Sequence, residues 1–144
     1  MRALISRNAK EYFNNPRDMK RFVNLFRFYY FLRAARLARG AQVASVEQMC
    51  RWLALSLKWP EVVRWLRRQE VSEDGTSPLA RVESFAGKSR SFAGWQTEMD
   101  KSLGVKPEER PPWVGDHYLY EFFRKEAELK TEERLSSCTD MGLW

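Results

Sequence analysis

The stretch NPRDMKRFVN, residues 15–24, opens the longest helical pattern in the chain and determines how the rest is interpreted. Asn15 is a favourable N-cap, and Pro16 suits the first helical position because its missing N–H would have no partner there. Arg17 then falls in the first turn, where the helix dipole disfavours a cation. A cation at that position indicates a nearby anion, and phosphate is the usual candidate. We expect this helix to run to about residue 39, since Gly40 is a typical helix-ending residue.

Apolar residues at helical spacing predict several further helices. Ser45 and Gln48 form a capping box before a third helix, and the Trp59-Pro60 pair separates it from a fourth. The remaining expected helices cover residues 3–13, 78–87, 92–103 and 117–129. No run alternates apolar and polar residues with β-branched enrichment, so no sheet is expected. The sequence therefore predicts an all-α, irregular bundle of about five to seven helices.

The residues from 71 to 78, VSEDGTSP, have the composition of a loop and divide the chain in two. We expect a helical bundle over residues 1–70 and a C-terminal helical extension with loops over residues 71–144. Glutamates such as Glu126 interleave with Lys125 and Lys130 in a pattern typical of a solvated helix face. The last dozen residues are expected to be frayed.

The helix over residues 16–39 carries apolar residues on more than one side. Its expected apolar stripe consists of Met19, Val23, Phe26, Tyr30, Ala34 and Leu37. Phe28 and Leu32 lie on the opposite side, together with basic residues such as Arg21 and Arg39. Three interpretations remain open: a central helix packed on several sides by its own domain, a helix whose far side packs against a missing partner, or a nucleic-acid-binding helix that uses arginines such as Arg27, Arg33 and Arg36.

These interpretations differ in where the side chains of this helix lie. We expect the side chains of Met19, Val23, Phe26 and Tyr30 to face the third and fourth helices. If a partner is missing, Phe28 and Leu32 should be exposed, be covered by the C-terminal segment, or drive self-association. The candidates for an internal cover are Tyr118, Phe122 and Phe123.

The net charge of +6 is concentrated near the N-terminus. Residues 1–39 contain 10 Lys or Arg and 2 Asp or Glu, a net charge of +8. Such asymmetry is compatible with nucleic acid, nucleotide phosphates or an acidic protein surface as a partner. The longest uncharged apolar stretch runs from Phe28 to Leu32, too short for a transmembrane segment, and no signal peptide is recognisable, so a cytoplasmic location is expected.

Catalytic and metal-binding patterns are not found in the sequence. Two cysteines and one histidine do not supply a zinc site unaided, and we expect Cys50 to be a buried, reduced thiol. Adjacent helical residues point in different directions, so we interpret Asp116-His117 as an N-cap followed by an ordinary histidine. The sequence therefore predicts no catalytic residue and no metal ligand.

The Asn15-Pro16-Arg17 motif, followed by Lys20-Arg21-Phe22 and Asn24, resembles the C-terminal helical part of KAP-family P-loop NTPases. These are bacterial and animal ATPases distantly related to the AAA+ and STAND groups. The similarity covers roughly residues 8–70 and includes the segment LSLKWPE, residues 55–61. Beyond it, only the final Gly142-Leu143-Trp144 is similar to the family. The resemblance implies that Arg17 acts like the sensor-2 arginine of the AAA+ lid, which contacts the γ-phosphate, with Lys20 and Arg21 as further phosphate contacts.

The chain lacks the parts that hydrolyse ATP in this family. No stretch fits the Walker A pattern Gly-x-x-x-x-Gly-Lys-Ser/Thr, and no apolar strand ends in a Walker B acidic residue. We therefore expect a non-catalytic lid or regulatory segment, from a truncated gene, a misassigned start or a split system. ATP and Mg²⁺ would be bound only in the intact assembly, with a separate P-loop core as the partner. The alternative is a stand-alone binding module whose basic half binds nucleic acid weakly or an acidic protein.

Overall fold

A computed structural model of the chain describes residues 2–70 and 73–141. The seven α-helices in this part of the chain are α1 (Arg2–Tyr12), α2 (Pro16–Ala38), α3 (Val46–Lys58), α4 (Pro60–Arg68), α5 (Pro78–Lys88), α6 (Phe92–Leu103) and α7 (His117–Glu128). Four short 3₁₀ turns cover Pro107–Glu109, Pro112–Gly115, Thr131–Glu133 and Leu135–Met141. The described residues contain no strand, so the all-α prediction is confirmed.

The described residues form two compact units. Unit 1 contains the chain up to Val63 together with residues 138–141, and unit 2 contains Arg64–Ser137. The structural division therefore falls within α4, whereas the loop composition of residues 71–78 indicated a boundary near residue 70. Val71 and Ser72 in that loop, and the final Gly142-Leu143-Trp144, lie outside the described residues.

Local capping interactions fix the ends of α2 and the start of α3. The Asn15 side chain accepts a hydrogen bond of 2.8 Å from the Arg17 N–H, and Ser45 and Gln48 form the expected capping box at 3.1 and 2.8 Å. Gly40 has a φ of +81° and ends α2 in a left-handed conformation that favours glycine. Its N–H donates to Leu37 O, and the Ala41 N–H donates to Arg36 O, which is the Schellman pattern.

The core of unit 1 lies where α1, α2 and α3 meet. Phe22 and Phe26 from α2 are almost completely buried, and the Phe22 ring lies 5.6 Å from that of Phe13, between centroids. Met49 and Leu53 from α3 are buried in the same cluster. Burying a phenylalanine side chain contributes about 1.5–3 kcal/mol, so the Phe22–Phe26 pair is a main stabilising element of this unit.

The predicted stripe on α2 is only partly correct. Met19, Val23 and Tyr30 are half-buried against the core, but Ala34 and Leu37 are exposed. The buried face is centred on Phe22 and Phe26 and extends toward Leu25 and Tyr29, which also pack on the core. The reason is that α1, as well as α3, packs on α2, whereas the sequence interpretation placed α3 and α4 there.

In unit 2, α5 and α7 make the most extensive contact between helices. Glu83 on α5 and Glu126 on α7 are both only 1% exposed, so the interpretation of Glu126 as a solvated residue is wrong. Glu126 Oε1 accepts a hydrogen bond of 3.0 Å from the Leu135 N–H, and Glu83 Oε2 accepts one of 3.2 Å from the Ser136 N–H. The two carboxyl groups thus hold the start of the Leu135–Met141 turn. Leu135 is fully buried there, so the expectation that this segment is frayed is also wrong.

The pKa of Glu83 is raised from 4.5 to about 7, mainly by burial and also by the nearby Glu126 carboxylate, while hydrogen bonding from Ser136 and the charge of Arg134 act in the opposite direction. Glu83 Oε1 has no hydrogen-bond partner among the described residues. Because the folded state holds this proton more tightly than the unfolded state, the stabilising contribution is complete below pH 4.5 and is lost as the pH rises through about 7.

We predict that Glu83→Gln flattens the dependence of stability on pH. In the unmodified chain the free energy of unfolding should fall by up to about 3 kcal/mol between pH ~4.5 and ~7.5, since each pKa unit corresponds to about 1.4 kcal/mol. Glutamine retains an acceptor for the Ser136 N–H but does not titrate. Urea unfolding across this pH range measures the effect, with the exposed Glu128→Gln as the matched control. An unchanged slope in Glu83→Gln would contradict the assignment.

Candidate functional site

The face of α2 opposite Phe22 and Phe26 is exposed along its whole length. At about 100° per residue, most of the exposed positions fall on one side of the helix, and Leu37 is an exposed residue outside it. Those on this side are Arg17, Lys20, Arg21, Asn24, Arg27, Phe28, Phe31, Leu32, Ala34, Ala35 and Ala38. We call this set the outer face of α2. Its first part, residues 17–27, is cationic, and its second part, residues 28–38, is apolar.

The apolar part of the outer face carries three large side chains. Phe28 is 58% exposed, Phe31 76% and Leu32 39%. The prediction that Phe28 and Leu32 are exposed is therefore confirmed, and neither is covered by another segment of unit 1. Of the side chains considered for that cover, Phe122 and Phe123 are buried in unit 2. Grouped exposed apolar side chains of this size mark interaction sites in soluble proteins.

The cationic part contains the three residues that the sequence motif indicated. Arg17, Lys20 and Arg21 all lie on the outer face within the first two turns, with exposed side chains. The Arg21 guanidinium approaches Asp18 at 3.9 Å in an exposed geometry, which contributes little to stability. Asn15 bonds only the backbone N–H of Arg17, and the Arg17 side chain is exposed to solvent.

A shallow groove of about 370 Å³ runs between α1 and α2 beside the outer face. Lys10, Lys20 and Arg27 surround an apolar floor, and no ion pair to them is found among the described residues. The groove is lined by Ser6, Ala9, Lys10, Met19, Lys20, Val23, Asn24 and Arg27. This lining contains cations, amide and hydroxyl groups but no carboxylate, thiol or imidazole. Its chemistry is that of binding an anion, and it offers no general base.

Lys10 is the member of this site that sequence reasoning did not single out, whereas Arg27 was among the arginines expected to bind nucleic acid. Lys20, Asn24 and Arg27 are three or four residues apart and are therefore neighbours on a helix. Lys10 comes from α1, and only the packing of α1 on α2 brings it to the groove. Phe31 is the most exposed of the large apolar residues, and helical periodicity alone places it only at the margin of the basic side of the helix.

Arg33 does not belong to the site, although it lies on the same helix. Its Nε donates a hydrogen bond of 2.8 Å to Ala44 O and so links α2 to the loop before α3. Similarly, Lys58 Nζ donates to Tyr12 O at 3.1 Å, at the C-terminal end of α1. Both cations satisfy backbone carbonyl groups and stabilise the arrangement of the three helices.

The other chemically reactive residues have structural surroundings. Cys50 is fully buried, and burial raises the pKa of its thiol to about 12, as expected for an unreactive core cysteine. Asp116 caps α7 by accepting hydrogen bonds from the Tyr118 and Leu119 N–H groups, and His117 is exposed, 3.6 Å from Glu121. Over residues 2–70 and 73–141, no three His, Cys, Asp or Glu side chains are grouped so that they could hold a metal ion.

No family model, curated protein or solved structure matches this chain. The resemblance to KAP ATPases therefore stays a prediction from the sequence motifs. Among the described helices, none is both long and apolar enough to cross a membrane.

We predict that truncating a side chain on the buried face of α2 destabilises the fold much more than truncating one on the outer face. Phe22→Ala should lower the free energy of unfolding by about 3–5 kcal/mol, because it leaves a cavity in the core. Phe31→Ala should change it by no more than about 0.5 kcal/mol, because the side chain makes few contacts. Urea unfolding followed by tryptophan fluorescence compares the two variants. A loss of several kcal/mol in Phe31→Ala would show that the outer face is packed within this chain.

Proposed function

We propose that the chain is a non-catalytic helical docking module that binds a partner protein through the outer face of α2. The observation that carries this proposal is the exposure of Phe28, Phe31 and Leu32 on a helix whose opposite face is already packed. These side chains contribute little to the stability of unit 1 while they are in water. Burying each in an interface is worth about 1.5–3 kcal/mol, which is the scale of an interface hot spot.

In the form that the KAP resemblance implies, the partner is a P-loop ATPase core and α2 belongs to its lid. The core would bind ATP and Mg²⁺, and the lid would close over the nucleotide. Arg17 would then contact the γ-phosphate and sense whether it is present, with Lys20 and Arg21 nearby. The support is that all three side chains are exposed at the start of α2 and share one face with the apolar docking residues.

The test uses the P-loop core of a KAP-type ATPase produced without its own lid helices. The chain alone should hydrolyse no ATP, because a few cations without a phosphate-binding loop supply too few contacts. Added to the core, it should bind and raise hydrolysis severalfold, and Arg17→Ala should abolish the increase without preventing binding. Phe31→Asp should weaken binding by at least about tenfold, a loss of about 1.4 kcal/mol.

The matched control is Leu37→Asp, which makes the same kind of change at an exposed apolar residue outside the outer face. Equal effects of Phe31→Asp and Leu37→Asp would count against the outer face as the docking site. Hydrolysis by the chain alone, abolished by Arg17→Ala, would overturn the non-catalytic proposal.

Nucleic acid is the second candidate partner. It is favoured by the cationic part of the outer face and by Lys10, which lies beside that part. Neutralising phosphates releases counterions, so such binding should weaken steeply with salt. We predict only weak, non-specific binding at low salt, measured by fluorescence anisotropy with duplex and single-stranded DNA or RNA. Sub-micromolar affinity at about 150 mM salt would favour nucleic acid over a protein partner, if this affinity is lost in the Lys20→Ala/Arg27→Ala variant and unchanged in Phe31→Asp.

A further inference from the structure

The outer face of α2 is cationic in its first half and apolar in its second half. Residues 17–27 present Arg17, Lys20, Arg21 and Arg27, and residues 28–38 present Phe28, Phe31 and Leu32 with small alanines between and beyond them. At a rise of about 1.5 Å per residue, each part is about 15 Å long. The division has a consequence for the partner, because a helix that lies along α2 meets cations over one half of its length and apolar side chains over the other.

We infer that the occupant of this surface is an amphipathic helix of the partner protein whose contact face is acidic in one half and apolar in the other. This inference rests on the proposed docking function and specifies the partner's chemistry. Acidic side chains would face Arg17, Lys20 and Arg27, where the potential is positive, and apolar side chains would cover Phe28, Phe31 and Leu32. Such an arrangement satisfies the cations and removes the exposed apolar surface with a single element.

A second copy of this chain does not have that chemistry. In a parallel pair of α2 helices the cationic parts would face each other. In an antiparallel pair centred on the apolar parts, the cationic part of one copy would approach the exposed Arg39 at the end of α2 in the other. Like charges placed opposite one another in an interface cost several kcal/mol, so the charge pattern opposes self-association.

Nucleic acid and anionic membranes also match this separation of cationic and apolar residues less well than a partner helix does. Single-stranded nucleic acid is bound by aromatic side chains interleaved with cations along a groove, and here the two kinds of residue occupy separate halves. A helix that lies in a membrane surface carries its apolar stripe along its full length. The outer face of α2 has such residues only from Phe28 onward.

The experiment uses two synthetic helical peptides of about 20 residues with the same composition. In the first peptide one face carries Glu in one half and Leu in the other, and in the second peptide Glu and Leu alternate along that face. We expect the divided peptide to bind the full chain at least about tenfold more tightly than the interleaved one, by fluorescence anisotropy. Phe31→Asp and the double variant Lys20→Glu/Arg27→Glu should each remove this preference, whereas Leu37→Asp should retain it.

The most decisive measurement exchanges the charges of the chain and the peptide. The Lys20→Glu/Arg27→Glu chain should recover binding to a divided peptide that carries Lys in place of Glu. Circular dichroism and urea unfolding verify that the variants are folded, which is expected because all substituted side chains are exposed. Equal affinity for the two original peptides, or tighter binding to phosphatidylserine vesicles or nucleic acid than to the divided peptide, would overturn the inference.

The outcome separates this inference from the proposed function. If the ATPase core binds the chain in a manner sensitive to Phe31→Asp while the two peptides bind equally, docking through the outer face stands and the divided helix is wrong. If Phe31→Asp alters neither core binding nor peptide binding, both proposals fail.

Discussion

The packing of Phe22 and Phe26 between α1 and α3 determines the orientation of α2, and with it the surface that unit 1 presents. Turning α2 about its axis would move these two rings into water at a cost of about 1.5–3 kcal/mol each. The residues on the opposite side must therefore point away from the core of the unit. Phe28, Phe31 and Leu32 are exposed for this reason, and because they add little to the stability of the unit, their presence calls for an explanation outside it. Binding of a partner supplies one.

Local signals in the sequence predicted the helices well. Asn15, Ser45 with Gln48, and Gly40 act at the ends of α2 and α3 through hydrogen bonds within a few residues, so their effect can be derived without the rest of the fold. The orientation of α2 was harder to derive. Its apolar residues are spread around the axis, so periodicity does not single out one buried face, and the contact with α1 moves that face toward Leu25 and Tyr29.

The candidate site was predictable in part for the same reason. The motif placed Arg17, Lys20 and Arg21 together because they lie within two turns of one helix, and Lys10 was missed because it comes from another helix. The buried carboxyl groups of Glu83 and Glu126 were missed entirely. Glu126 has charged neighbours in sequence that are typical of a solvated helix face. The burial of Glu83 and Glu126 follows instead from the packing of α5 on α7, and the two carboxyl groups accept hydrogen bonds from the Leu135 and Ser136 N–H groups.

The two halves of the outer face would contribute differently to binding. Exposed cations attract an acidic partner over distances of about 10 Å at moderate salt and set its position along α2, but exposed ion pairs add little affinity. The apolar half has no long-range attraction, yet its desolvation supplies most of the free energy once contact is made. Either half alone would bind weakly or without a defined register. Placed end to end on one rigid helix, they select a partner that carries both chemistries in the same order, which is the basis of the specificity we infer.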